Sequence, residues 1–223
     1  MSLNKIGYAN LRKSRLAVEA DRDVLGEREL ATLETILGKN DSPIDFQDKA
    51  VVDLGCGDQY IKIACESRGM IYQGLDVEDC NFEHEPFPIE DNSVDFAISL
   101  ALLEHLSDPG NFFSQVKRIL KRTGVLWLST PDIQRCGNSF WNDPTHVHPY
   151  TRSSLKLCLE MNGFRDVLVT PNYRCKPSKF YENTDSNFFR ARYLMPFTGA
   201  TKFPVPELFK GKCLGLFGLG RIT

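Results

Sequence analysis

The stretch from Lys49 to Asp58, Lys-Ala-Val-Val-Asp-Leu-Gly-Cys-Gly-Asp, constrains the fold of this chain more than any other. Val51, Val52 and Leu54 are β-branched or aliphatic, as a strand buried on both faces requires. Gly55 and Gly57 then let the backbone turn sharply and come close to a ligand. A helical pattern follows, with Ile61, Ala64 and Cys65 on one face and Arg68-Gly69 closing it. A second strand, Ile71 to Leu75, ends in Asp76. Strand, glycine turn, helix, strand and carboxylate, in that order, form a nucleotide-binding βαβ unit.

Spacing decides which nucleotide. A dinucleotide site needs Gly-x-Gly-x-x-Gly, with the last glycine for close helix–strand packing. That position is Tyr60, which argues against a nicotinamide dinucleotide. Asp53, just before the end of the strand, points instead to a cofactor with a positive group near the turn. Asp53, Gly55 and Gly57 resemble motif I of the class I S-adenosylmethionine (SAM) methyltransferases, Asp/Glu-x-Gly-x-Gly-x-Gly. Gln59 stands in place of the third glycine. Asp76 matches the family acid that accepts from both ribose hydroxyls, as a carboxylate can.

The resemblance continues along the chain. Pro86-Phe87-Pro88 and Asp91 to Asp95 are similar to the adenine-side phrase of the type 11 methyltransferases, which puts Asn81 and Phe82 beside the adenine. Val94 to Leu100 is the next buried strand, and Leu103-Glu104-His105 is similar to the family's segment after it. Asp108 caps a helix that begins at Pro109 and carries Phe112, Phe113, Val116, Ile119 and Leu120 on its apolar side. Gly124 is expected to stop it, with a strand from Val125 to Ser129; Thr123 stands where the family commonly has glycine. Thr151 caps a further helix with Leu155, Cys158 and Leu159 on one face, Gly163 ends it, and Phe164 to Thr170 is a strand.

The resemblance implies an α/β fold: a Rossmann-like class I methyltransferase sheet, mostly parallel with the last strand antiparallel, and helices on both faces. It implies S-adenosyl-L-methionine as cofactor and S-adenosyl-L-homocysteine as product. The cofactor-binding candidates are Asp53, Gly55, Cys56, Gly57, Gln59, Asp76, Val77, Asn81, Phe82 and Leu100. Residues 1–45 read as an N-terminal helical layer with Leu30, Leu33, Ile36 and Leu37 in one stripe. Residues 46–170 read as the SAM-binding core and 171–223 as a C-terminal extension.

Methyl transfer is an in-line displacement, so the protein must align donor and acceptor in a closed cleft. A hydroxyl acceptor benefits from a general base, and histidine is suited to that near neutral pH. His105 follows the strand 94–100, and His146 and His148 lie in the loop after the strand 125–129; these are the catalytic candidates. In an extended loop His146 and His148 would point to one side. A metal site would need Asp143 as a third ligand, and none is expected. The phrase Asp143-Pro144-Thr145-His146-Val147-x-Pro149-Tyr150-Thr151 is similar to bacterial methyltransferases found with surface-polysaccharide synthesis. That implies a small-molecule or glycan acceptor. The alternative is a catalytically silent methyltransferase-fold subunit that acts through a partner.

Charge separates the parts. Residues 171–223 hold nine Lys or Arg against three Asp or Glu, a formal +6; the whole chain is −2, so residues 1–170 carry −8. An acidic core without Asn/Asp-Pro-Pro-Tyr/Phe after Ile98 argues against a nucleic-acid substrate. The extension holds ten aromatic residues, too many for a disordered linker. They either pack on the sheet edge as a final strand pair or, over residues 188–220, form a lid. In the second case Arg190, Arg192, Lys202, Lys210 and Lys212 face an anionic acceptor or membrane surface. Seven scattered cysteines without a Cys-x-x-Cys pair fit a reducing compartment. With no signal pattern or transmembrane stretch, the expected location is cytoplasmic, with peripheral membrane contact open. The sequence leaves the oligomeric state undefined.

Overall fold

The structure is a computed structural model, and it describes residues 22–38, 44–173, 177–184, 186–192 and 213–222. Six strands form one sheet: β1 (Ala50–Leu54), β2 (Ile71–Leu75), β3 (Val94–Leu100), β4 (Leu120–Pro131), β5 (Arg165–Asn172) and β6 (Gly215–Arg221). Their order across the sheet is β2-β1-β3-β4-β6-β5. The pairs β1/β2, β1/β3 and β3/β4 are parallel, and β6 runs antiparallel to both β4 and β5. The expected mostly parallel sheet with an antiparallel last strand is what forms.

Alternate residues of each strand enter two apolar cores, one on each face. Val52, Leu54, Ala97, Leu126 and Leu128 join one core with Phe112, Phe113, Val116, Leu155 and Leu159 from helices α3 (Gly110–Ile119) and α5 (Arg152–Met161). Val51, Phe96, Ile98, Val125 and Trp127 join the other, with Leu30, Leu33 and Ile36 of α1 (Arg22–Leu37) and Ala64 and Cys65 of α2 (Lys62–Glu66). Burial on both faces is why these strands read as continuous apolar runs. Among the described residues the two remaining α-helices are α4 (Ile133–Cys136) and α6 (Asn187–Arg192).

Three local expectations shift. Asp108 Oδ1 accepts from the Gly110 N–H at 2.9 Å, but the helix starts at Gly110 rather than Pro109. Helix α3 passes straight into β4 at Leu120, so Gly124 lies inside a strand that begins five residues earlier than expected. The last strand does not lie at an edge: β6 sits between β4 and β5, with Trp127 stacked on Phe217 at 4.5 Å. A division at residue 170 therefore cuts through the sheet. Residues 1–21 of the helical layer lie outside the described residues, as do Lys202, Lys210, Lys212 and most of the lid expected over 188–220.

Thr123 has φ +69°, inside the left-handed region that β-branched residues resist. The family's glycine would occupy it without strain. Thr123→Gly is expected to raise stability by about 1 kcal/mol, the relief of strain less the extra freedom glycine gives the unfolded chain. A urea midpoint at or below that of the parent would refute this.

Candidate active site

The C-terminal edge of β1 and β2 is shaped by the glycine turn. Gly55 has φ +77° and Gly57 φ +54°, and Gln59 also lies left-handed at +57°. The Gly55 and Cys56 N–H groups both donate to the Leu75 carbonyl, at 2.8 and 3.0 Å, tying the turn to the end of β2. Space around Gly57 is open: a Cβ there would have nothing within 4 Å. A Cβ on Gly55 would meet the Leu102 side chain at 3.1 Å, so the turn lies directly against the segment that follows β3. Cys56 is buried beneath the turn and Gln59 is exposed.

Asp53 is 3 % exposed and accepts from the Tyr72 hydroxyl at 2.9 Å. Burial pushes its carboxyl from the ordinary 3.8 to about 7; Tyr72 opposes the rise, and Asp76 and Asp58 add to it. Tyr72 was not expected from the sequence. Its hydroxyl sits on a β2 position that otherwise reads as strand filler.

Asp76 begins the loop after β2. Its Oδ1 accepts from the Val77 N–H at 2.8 Å, which orients the carboxylate, and its own N–H donates to Asp79 Oδ2 at 2.8 Å. Asn81 Oδ1 accepts from the Glu83 N–H at 2.9 Å, so the side chain serves a local turn at an exposed position. Phe82 is 3 % exposed, with its ring edge-on to Phe87 at 5.5 Å and to Phe112 at 6.5 Å. Its ring is thus committed to the core. Leu100 ends β3, buried, just before Ala101 turns left-handed at φ +60°.

The acceptor-side candidates divide. Residues Leu103–His105 form a 3-10 turn after β3. The Val147 and His148 N–H groups donate to the Glu104 carbonyl at 2.9 and 3.1 Å and bind the loop after β4 to that turn. The pairing brings the His105 and His146 rings to 4.8 Å. His148 faces elsewhere, stacked on Tyr150 at 4.6 Å and 6°. So His146 joins His105 rather than His148, because alternation within the loop sets fewer contacts than its anchoring to Glu104.

Glu104 was present in the sequence but not singled out. It is 1 % exposed, accepts from Thr130 Oγ1 at 3.1 Å, and has Oε1 4.0 Å from His146 Nε2. Asp143 Oδ2 lies 3.8 Å from the same nitrogen. The only signal for Glu104 was its place beside His105, since nothing local marks a buried glutamate. Trp141 is 55 % exposed and edge-on to Phe140 at 4.8 Å, and Phe140 lies 4.5 Å from the His146 ring.

Residues 27–169 match the family model described as a methyltransferase domain. A probable S-adenosylmethionine-dependent methyltransferase of Mycobacterium tuberculosis is 29 % identical over 138 residues, which cover 53 % of this chain and 50 % of that protein. The chain thus spans about half the length of the curated relatives it matches. A SAM-dependent methyltransferase structure from Archaeoglobus fulgidus aligns with TM-score 0.55 at 18 % identity, over 86 % of this chain and 94 % of that one. A phosphoethanolamine N-methyltransferase of Haemonchus contortus, solved with S-adenosylhomocysteine, aligns with TM-score 0.56 at 15 % identity, over 87 % of this chain and 52 % of that one. With sheet order, glycine turn and family match in agreement, the chain belongs to the methyltransferase-domain family, whose cofactor is S-adenosylmethionine.

Proposed function

We propose that this chain moves a methyl group from S-adenosylmethionine to a hydroxyl of a small molecule or glycan, with a surface-polysaccharide precursor as the acceptor. The observation that carries this reading is one shared edge. A Cβ at Gly55 would meet Leu102 at 3.1 Å, and three residues beyond Leu102 His105 meets His146. The donor and acceptor sides are therefore neighbours at the ends of the parallel strands, where α/β proteins bind ligands.

The residues fit the cofactor. The open space at Gly57 admits close approach, the oriented Asp76 carboxylate can accept from a ribose diol, and a buried acid waits under the turn. Gly55, Gly57 and Gln59 would hold the methionine part, Asp53 would answer its positive charge, and Asp76 the ribose. Cys56, Val77 and Leu100 would line the site, with Asn81 and Phe82 reached through their backbone, given how their side chains are engaged. When bound, the cofactor supplies a methyl already activated by sulfonium. The protein's part is to align the acceptor, exclude water and receive a proton at His146 or His105. The exposed Trp141 indole beside that pair offers a flat apolar face to a sugar ring. His148, stacked on Tyr150, is a wall rather than a proton acceptor.

Asp76→Ala is expected to weaken S-adenosylhomocysteine binding by about 1.5–3 kcal/mol, the range for hydrogen bonds to a charged group. Calorimetry with equal affinities would remove Asp76 from the site. The function itself is tested by incubating the protein with labelled methyl donor and a panel of sugars and nucleotide sugars, with mass spectrometry of the products. O-methylated sugar supports the reading. Tight cofactor binding with no transfer to any hydroxyl supports the silent-subunit alternative. Peripheral membrane contact stays part of the proposal only through the basic extension, and no helix among the described residues is long and apolar enough to cross a membrane.

A further inference from the structure

We propose that Glu104, His105 and His146, with Asp143 beside them, bind a divalent first-row transition-metal ion that acidifies the acceptor hydroxyl. One ligand-capable atom from each of the first three lies within 4.8 Å of the others. Two imidazoles and a carboxylate suit Mn, Fe, Co or Zn better than Mg or Ca.

Hydrogen bonding decides which way the imidazoles present themselves. His146 Nδ1 lies 2.7 Å from the Phe140 carbonyl, which can only accept, so Nδ1 carries a proton and the neutral ring's lone pair falls on Nε2. That Nε2 faces two carboxylates, Glu104 Oε1 at 4.0 Å and Asp143 Oδ2 at 3.8 Å. His105 is fixed the same way. Asp143 Oδ1 accepts from both the Thr145 N–H at 3.0 Å and the Thr145 hydroxyl at 2.6 Å. The Thr145 hydroxyl oxygen therefore accepts from His105 Nδ1 at 2.8 Å, and the Thr145 carbonyl accepts at 3.3 Å. His105 is left with its lone pair at Nε2.

Both neutral rings thus donate at Nδ1 to fixed oxygens and present Nε2 as the ligand atom. This is the outer-shell arrangement that orients histidine ligands on metals. The spacings near 4 Å suit an ion bound to these atoms better than a shared proton, which needs hydrogen-bond contact. Competing thiolates are disfavoured: burial pushes Cys65 and Cys213 up to about 12 and Cys80 to about 11.

What the ion does rests on reading this edge as the acceptor site; that it binds does not. A hydroxyl reaching the ion would ionise more readily, releasing its proton to water and leaving an alkoxide held by the ion's charge. In this scheme the ion lowers the hydroxyl's pKa, water takes the proton, and His146 and His105 serve as ligands instead of proton acceptors.

The test uses untagged, chelator-treated protein titrated with Co²⁺ and followed by visible absorption, with Zn²⁺ competition. The expected result is one Co²⁺ per chain with ligand-field bands displaced by Zn²⁺. In His146→Ala the bands should vanish, and in the milder Glu104→Gln affinity should fall at least ~10-fold. No binding by the parent, equal binding by His146→Ala, or the intense near-ultraviolet bands of thiolate ligation would each overturn the site. Methyl transfer is then measured in the same preparations. Full transfer in chelator would overturn the ion's proposed chemistry while leaving the methyltransferase reading intact. Co²⁺ binding without transfer to any sugar would retain the site and refute that reading.

Discussion

Replacing His146 by alanine should lower turnover by about 10²–10⁴-fold while S-adenosylhomocysteine affinity stays at the parent value, the span attributed to a positioned acid–base group. The geometry explains why the loss falls on turnover. His146 is held by the Phe140 carbonyl, faces Glu104 and Asp143, and makes no hydrogen bond to the glycine turn among the described residues. The expected loss is the same in kind whether the imidazole takes the proton or holds an ion that acidifies the hydroxyl. His148→Ala is the control. Its ring stacks on Tyr150, so its removal should change turnover by far less. The measurement is initial-rate transfer of labelled methyl to whichever sugar of the panel is methylated, with cofactor affinity by calorimetry. Turnover within a factor of three in His146→Ala would take this residue out of the mechanism.

That pairing was half legible in the sequence. Both histidines were visible, and so was the sheet edge they share, because both follow strands of a βαβ pattern with strong local signals. Their grouping was not. It depends on the N–H groups of Val147 and His148 finding the Glu104 carbonyl, a contact across about forty residues that no periodicity encodes. The same limit hid the Tyr72–Asp53 hydrogen bond. Adjacent parallel strands place the two side chains together only once register is fixed, with Asp53 opposite Gly74.

Local chemistry does not mark β6, although an antiparallel last strand is expected. Its sequence, Gly215-Leu216-Phe217-Gly218-Leu219-Gly220-Arg221, carries three glycines, which weaken any strand pattern. Tertiary packing overrides this, since the strand is paired on both sides. The extension therefore completes the sheet instead of capping it. Removing everything after residue 186 would take a strand from the sheet interior. Where the sequence departs from the family at Gln59 and Thr123, the backbone keeps the glycine-like conformation, φ +57° and +69°. The fold imposes those angles and the side chains bear the strain.

Asp53→Asn is expected to abolish a pH dependence that the parent shows. The carboxyl is pushed up, chiefly by burial, from the ordinary 3.8 to about 7. For an acid raised on folding, the folded form holds its proton where the unfolded form has lost it. Stability from this group is thus intact below about pH 4, falls as pH rises from there to about 7, and stays reduced above. The full gap corresponds to roughly 4 kcal/mol as an upper bound, at 1.36 kcal/mol per pH unit. Urea midpoints of the parent should therefore fall from pH 4 to pH 8 more steeply than those of Asp53→Asn. The variant's amide oxygen can still accept from Tyr72 but carries no charge. The comparison rests on the slope, because the new NH₂ group shifts the absolute level at every pH. The same linkage reaches function: a positively charged cofactor near the turn would restore the carboxylate, so binding at pH 6 should release a proton. Calorimetry in two buffers of different ionisation enthalpy reads that release directly. Parallel midpoint curves for the two proteins, together with buffer-independent binding heats, would mean that Asp53 is ionised before the cofactor arrives and that its burial is offset by the protein alone.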